Sequence, residues 1–172
     1  MDSSYADSAA FGPPSTMGEL PAISLVAGQV VDRFKLEEKL HLGGMAQIWR
    51  VSEVDANGSP VAASAMPLVM KVPRIKGGED PATIVGFEVE QMIMPRLSGP
   101  HVPHFVAKGD FTRQPYIVME RIEGVSLRPR LDEAPLPIDE VIEIGSRVAT
   151  ALHDLHRQHL VHLDIKPSNI MF

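Results

Sequence analysis

The chain has 172 residues, of which 44% are hydrophobic and 22% are charged, a balance typical of a soluble globular domain with its own hydrophobic core. Its net charge of −6 argues against a nucleic-acid binder or an anionic-membrane binder, since both normally carry a basic surplus. The absence of cysteine excludes disulfides and Cys-based zinc sites. No apolar run has the length of a membrane span, and residues 1–10 lack the features of a signal peptide, so we expect a cytoplasmic protein.

Residues 1–28 are rich in Ser, Ala, Gly and Pro and predict a flexible tail before a folded part that begins near Gln29. The folded part reads as three strands, a helix, two more strands and a second helix, which indicates an α+β fold. Strands are predicted over 33–42, 46–54, 68–73, 102–107 and 116–120, and helices over 81–97 and 138–158. Pro81 suits the first turn of its helix, whereas Pro95 is expected to distort the last turn.

The second predicted helix carries a stripe of apolar residues at helical spacing, formed by Val141, Ile144, Val148, Leu152 and Leu155. Asp139 and Glu140 in its first turn complement the helix dipole. We expect that the rest of the chain cannot bury the whole stripe.

A group of polar residues follows this helix in the segment His-Leu-Asp-Ile-Lys-Pro-Ser-Asn, residues 162–169. Pro167 prevents a continuing helix, so these side chains are expected on a loop. An aspartate can accept a hydroxyl proton, a lysine can meet phosphate charge, and an asparagine oxygen can ligate Mg²⁺. Any one of them alone would equally suit a polar surface loop.

The whole string resembles the catalytic loop of protein kinases, H-R-D-L-K-P-x-N, with its His, Asp, Lys, Pro and Asn at matching positions. The resemblance implies that Asp164 is the catalytic base, that Lys166 steadies the transferred phosphoryl group and that Asn169 binds Mg²⁺. Lys166 is the form found in Ser/Thr kinases, here of the bacterial-like type. ATP and Mg²⁺ are therefore the implied cofactors, and Ser or Thr hydroxyls of proteins are the implied acceptors. Leu163 replaces an arginine that receives an activation-loop phosphate in many kinases, so that mode of regulation is expected to be absent.

The segment Leu68–Val72 looks like the third-strand V-A-I-K motif of the same family, with Lys71 as its lysine. A lysine among apolar residues needs a partner, although a lysine snorkelling from an edge strand is the plain alternative. Glu90 is the predicted partner because it lies on the same helical face as Phe87, Met94 and Leu97. Glu88 is the alternative, and it points to a different side of the helix.

The glycines between the first two predicted strands resemble the phosphate-covering loop G-x-G-x-x-G-x-V of kinases. Gly43 is kept, but His41 and Ala46 replace the first and third glycines, so the match to a tight ATP-binding loop is partial. By itself the Gly43-Gly44 pair predicts a hairpin turn. The ATP-binding residues implied by this loop are Leu40, His41, Leu42, Gly43, Gly44, Met45, Ala46, Gln47 and Ile48.

Residues 115–124 resemble the hinge between the two kinase lobes, and a core strand that ends in a turn is a compatible simpler interpretation. The resemblance implies Met119 as gatekeeper and hydrogen bonds from backbone groups of Glu120 and Ile122 to adenine. It further implies that apolar side chains enclose the adenine ring, with Ile48 and Val69 above it and Met171 below it.

Over residues 30–172 the resemblance implies a protein-kinase-like fold: a five-stranded antiparallel N-lobe with its helix C, then the first helices and the catalytic loop of the C-lobe. We place the N-lobe at 29–119, the hinge at 120–124 and the start of the C-lobe at 125–172. The D-F-G motif, the activation loop and most of the C-lobe would follow Phe172. We therefore expect a truncated piece that transfers no phosphate alone and binds ATP weakly.

Two alternatives to an active protein kinase remain open. A nucleotide-binding or scaffolding pseudokinase is suggested by His41 and Ala46. A kinase-like small-molecule phosphotransferase would share the catalytic loop, but Lys166 two residues after Asp164 weighs against it. None of these alternatives implies a nucleic-acid partner or a membrane segment in this chain.

Overall fold

A computed structural model of the protein describes residues 24–61, 66–74 and 81–172. These residues form one antiparallel sheet with the strand order β1-β2-β3-β4-β6-β5 and two longer helices. The strands are β1 Val30–Val31, β2 Phe34–Leu42, β3 Ala46–Glu53, β4 Leu68–Pro73, β5 Phe105–Lys108 and β6 Ile117–Glu120. The helices are α1 Pro81–Ile93 and α2 Ile138–Arg157, and short 3₁₀ turns cover Met94–Arg96, Arg128–Glu133 and Pro167–Asn169.

The N-terminal edge of the sheet differs from the sequence-based expectation. The described part of the sheet has six strands rather than five, because Val30–Val31 pair with the start of β2. Leu25, which the sequence assigns to the tail, is only 5% exposed and belongs to the core. Gly28 donates a backbone hydrogen bond to Leu36 at 2.7 Å, so the ordered structure begins before Gln29. The rest of the predicted tail lies outside the described residues.

The sheet buries a different set of side chains on each face, because successive residues of a strand point to opposite sides. On β4, Met70 and Val72 enter an outer core that also holds Phe34, Leu36, Trp49 and Val118. On the other face, Ile117 is completely buried against Phe87 and Met94, a group that we call the helix-side core. Lys71 pairs with Ile117 across the strands and therefore shares the face that meets α1.

Helix α1 begins at Pro81, as predicted, and its apolar residues at helical spacing pack on the sheet. The regular helix stops at Ile93 rather than at Leu97. A 3₁₀ turn over Met94–Arg96 takes its place, because Pro95 has no N–H for the α-helical ladder.

Helix α2 carries the predicted apolar stripe, but among its members only Leu155 is buried, at 9% exposed. Val141 is 46% exposed, and Ile138 and Ile142 nearby are 73% and 64% exposed. The expectation that this chain leaves part of the stripe unburied is confirmed. No helix in the described ranges is long and apolar enough to cross a membrane.

Candidate active site

The most clearly formed feature of the site is an ion pair between β4 and α1. The Lys71 Nζ atom lies 2.7 Å from Oε1 and 2.6 Å from Oε2 of Glu90. The two side chains are 27% and 32% exposed, so water screens the pair only in part. The expected pairing of Lys71 with Glu90 is confirmed, whereas Glu88 is exposed on another side of the helix.

The turn between β2 and β3 is closed by a hydrogen bond from the Gly43 N–H to the Ala46 carbonyl at 2.9 Å. It is also tied to the end of β4 through Arg74. The Arg74 backbone N–H donates to the Met45 carbonyl, and its guanidinium Nη1 donates to the Gly43 carbonyl, both at 2.9 Å. The turn, Lys71, Glu90 and the start of α1 line a cavity of about 200 Å³.

His41, which replaces the first glycine of the family loop, folds its ring back onto the turn. A Cβ atom on Gly43 would lie 3.2 Å from the His41 Nε2 and 3.3 Å from the Ala46 carbonyl oxygen, both tighter than ordinary contacts. A side chain at position 43 would therefore need the His41 ring or the Ala46 carbonyl to move by a few tenths of an ångström. Met45 at the tip is 72% exposed, and Leu42 is 57% exposed.

Residues predicted to pack on the adenine ring share the sheet face of Lys71. Ile48 pairs with Lys71, and Val69 pairs with Met119, in the antiparallel register. Residues directly opposite each other across an antiparallel pair point to the same side. Val69 is 8% exposed, and Ile48 and Met119 are half-buried. The sheet register therefore brings these three side chains to one surface.

The segment after β6 is held at its start by backbone hydrogen bonds and is open at Ile122. The Glu120 N–H donates to the His104 carbonyl at 2.8 Å, and the Arg121 N–H donates to the Pro67 carbonyl at 2.7 Å. Ile122 is 42% exposed, and within the described ranges no partner occupies its backbone N–H or carbonyl. The polar backbone edge of Ile122 is thus available to a ligand.

The end of the chain lies against the predicted hinge segment. Val125 and Phe172 exchange backbone hydrogen bonds at 3.3 and 3.1 Å, and the Leu127 N–H donates to the Ile170 carbonyl at 2.9 Å. Gly124 allows the close approach: its φ is +148°, and a Cβ there would lie 2.2 Å from the Phe172 carbonyl oxygen. Met171 is brought next to the hinge in this way, opposite Ser126.

The predicted catalytic loop forms a compact polar cluster. Lys166 Nζ lies 2.7 Å from Asp164 Oδ2, and Asn169 Nδ2 donates to the Asp164 carbonyl and to Oδ2 at 2.9 and 3.0 Å. A 3₁₀ turn over Pro167–Asn169 brings Asn169 back onto the aspartate. The Asp164 N–H also donates to the His162 ring Nδ1 at 3.3 Å.

The electrostatics of this cluster keep the aspartate ionised. The hydrogen bond from Lys166 is the main cause that lowers the pKa of the Asp164 carboxyl below its usual value, and the bond from Asn169 adds to it. The Asp164 side chain is 61% exposed, so the carboxylate is open to an incoming molecule. Leu163 beside it has a φ of +61° and is 90% exposed, and its apolar side chain carries no guanidinium such as an arginine would have.

Two contacts that the sequence did not indicate tie α2 to the segment after α1. Gln158 and Ser98 exchange two hydrogen bonds at 3.0 Å: the Ser98 backbone N–H donates to the Gln158 Oε1, and the Gln158 Nε2 donates to the Ser98 carbonyl. His101 Nδ1 lies 2.9 Å from Asp154 Oδ2. These contacts connect the sheet half of the molecule to the helix that leads into the predicted catalytic loop. Single polar residues in loops give no periodic pattern from which such pairs could be found.

Comparison with known proteins agrees with this geometry. The family model described as protein kinase domain matches residues 50–172. A probable serine/threonine-protein kinase PknB of Lactococcus lactis is 31% identical over 141 residues, which cover 81% of this chain and 21% of that protein. The serine/threonine-protein kinase PknL of Mycobacterium tuberculosis is 30% identical over 140 residues, covering 81% of this chain and 33% of that protein.

The fold is also found among solved structures. The crystal structure of the Mycobacterium tuberculosis PknI kinase domain superposes with a TM-score of 0.67 at 24% identity, covering 87% of this chain and 59% of that chain. The present chain spans between a fifth and a third of the length of the two curated relatives. The matched residues include the ion pair, the hinge and the polar loop described above. The chain belongs to the protein kinase family.

Proposed function

We propose that the natural protein containing these residues is a Ser/Thr protein kinase, which transfers the γ-phosphoryl group of ATP to Ser or Thr hydroxyls of proteins. The observation that carries the proposal is the Lys71–Glu90 ion pair, with both carboxylate oxygens within 2.7 Å of Nζ. A lysine held in this way on the sheet face of Val69 and Ile48 is placed to bind phosphate oxygens while the base packs on the apolar side chains.

The geometry also supports a role for Asp164, Lys166 and Ile122. Asp164 is ionised and exposed, so it is suited to orient a substrate hydroxyl and to accept its proton. Lys166 beside it supplies positive charge where the transferred group carries negative charge. The backbone of Ile122, which has no described partner, is suited to hydrogen-bond the adenine edge.

Asn169 is the residue of this chain suited to hold Mg²⁺. Its amide nitrogen donates to Asp164, and no described residue donates to its Oδ1 atom, which leaves a neutral oxygen ligand of the kind that Mg²⁺ accepts. A bound Mg²⁺ supplies charge neutralisation at the phosphate oxygens. The fit is therefore favourable for the metal that the family uses.

The test is phosphoryl transfer from radiolabelled ATP to a generic protein substrate by the natural protein, followed by phosphoamino-acid analysis. We expect label on Ser and Thr, and a loss of about 100-fold or more with Asp164→Asn. Glu143→Gln is the matched control, because Glu143 is an equally exposed carboxylate in an ion pair with Arg147 on α2. Near-wild-type transfer by Asp164→Asn would show that Asp164 is not the catalytic base.

A nucleotide-binding pseudokinase is the second candidate, and the position of His41 favours it. The ring lies against Gly43 in the turn that would have to cover the phosphates. This candidate predicts ATP binding that Lys71→Met weakens, with no transferred label in the wild type. The same assay therefore separates the two functions.

A further inference from the structure

Gln91 is the only amide or charged side chain that is buried among the described residues, at 5% exposed. It follows Glu90 directly on α1. Its Nε2 atom donates to the Tyr116 carbonyl at 2.9 Å and to the Gly109 carbonyl at 3.2 Å. The two acceptors offset the cost of burying the amide nitrogen.

The two acceptors belong to a rigid turn between β5 and β6. The Gly109 N–H donates to the Tyr116 carbonyl at 2.9 Å, which closes the turn. Tyr116 is 3% exposed, packs edge-on against Phe34, and donates its hydroxyl hydrogen bond to Asp32 at 2.5 Å. The Tyr116 side chain is therefore held in the outer core, on the face of the sheet away from α1. This packing keeps in place the backbone carbonyls that accept from the Gln91 amide.

Phe87 and Met94 pack on Ile117 without directional bonds. Because the hydrophobic effect depends on buried area and not on orientation, this packing specifies the rotation of α1 less sharply than hydrogen bonds do. Hydrogen bonds to two fixed carbonyls select one rotation. The side chains of adjacent helix residues point in directions about 100° apart around the axis. When the Gln91 amide is bonded to the β5–β6 turn, Glu90 therefore points toward Lys71.

We propose that Gln91 is a positioning residue: its amide anchors α1 to the β5–β6 turn in the rotation at which Glu90 reaches Lys71. The catalytic meaning of this anchor rests on the proposed kinase function. The anchor and the ion pair involve only residues between Lys71 and Tyr116. Loss of the amide leaves the Gly109 carbonyl without its side-chain donor and lets α1 rotate.

The test measures the reactivity of the Lys71 amine rather than activity. The chain is labelled briefly with acetic anhydride, and mass spectrometry gives the rate at Lys71 relative to the exposed amine of Lys108. We expect Gln91→Met, which keeps the side-chain length, to raise this ratio about 3- to 10-fold, the effect of losing hydrogen bonds of ordinary net strength. Glu90→Gln should give the highest labelling ratio, because it removes the carboxylate itself.

A control variant separates positioning from general loss of stability. Leu36→Ala removes a fully buried side chain from the outer core, away from α1, and is expected to destabilise the fold while leaving the Lys71 ratio unchanged. The proposal is overturned if Gln91→Met leaves the ratio at the wild-type value, or if Leu36→Ala raises it equally. Should Gln91→Met fail to fold, the same criteria apply to Gln91→Asn, whose amide is one methylene too short to reach both carbonyls.

A second readout distinguishes this proposal from the proposed function. In the natural protein, Gln91→Met is expected to weaken ATP binding and transfer together, as Glu90→Gln does. If the wild type transfers no phosphate but the labelling ratio still shifts with Gln91→Met, the positioning role is supported and the kinase function is contradicted. If transfer is normal in Gln91→Met with an unchanged ratio, the positioning role falls and the kinase function stands.

Discussion

Substitution of Gly109 by alanine tests how tightly the turn that receives α1 is packed. A Cβ at this position would lie 2.2 Å from the Gln114 carbonyl oxygen and 2.4 Å from Cδ1 of the Tyr116 ring. Neither neighbour moves easily, since one is backbone and the other is a buried ring. Overpacking of this kind costs about 1–3 kcal/mol, and the hydrogen bond from Gln91 is worth about 1 kcal/mol, so we expect a loss of about 2–4 kcal/mol.

Urea denaturation measures this loss. With a slope of about 1–3 kcal/mol per molar urea, the midpoint of Gly109→Ala should fall by about 1 M or more. Gly145→Ala is the matched control, because nothing lies within 4 Å of a Cβ there and the residue sits in the middle of α2. Alanine in a helix interior is more favourable than glycine by about 0.5–1 kcal/mol, so this control should raise the midpoint. Midpoints that moved in the same direction for both variants would show that Gly109 is not tightly packed.

Three further predictions concern the turn, the pH response and α2. Arg74→Met should make the backbone amides of the β2–β3 turn exchange with solvent about 5- to 10-fold faster, while Arg50→Met on the same hairpin should not. Equal exchange rates in the wild type and both variants would show that Arg74 does not hold the turn. Burial, and then the hydrogen bond to Asp32, raises the pKa of the Tyr116 phenol. The folded state then keeps its proton above a pH of about 10, so the free energy of unfolding should fall as pH rises past that value, and Tyr116→Phe should abolish this fall in urea midpoints. The apolar residues exposed on α2 should make the 172-residue chain associate with rising concentration in sedimentation, and Ile142→Glu should reduce it; a wild-type monomer at all concentrations would contradict this.

Local patterns were sufficient for the elements and for the main pairing of the site. The strand over 68–73 was predicted with the bounds that the structure has, because an apolar run rich in β-branched residues ends in a proline. Glu90 was identified as the partner of Lys71 because the helical period places it among apolar residues that face the sheet. The string 162–169 indicated its chemistry because the loop brings its own polar residues together within a few positions.

Patterns along the chain were thus enough to identify the family, the order of the elements and the residue types of the site. The contacts that hold the site in place are visible only in the folded chain. The partners of Gln91, Arg74 and Gln158 lie 18 to 60 residues away along the chain. Each contact joins a single polar side chain to a backbone group. Because every residue carries backbone groups, neither spacing nor residue type identifies the partner in the sequence. The burial of Leu25 was hidden for a different reason: its neighbours in the outer core come from distant strands, so it meets them only after the sheet has formed.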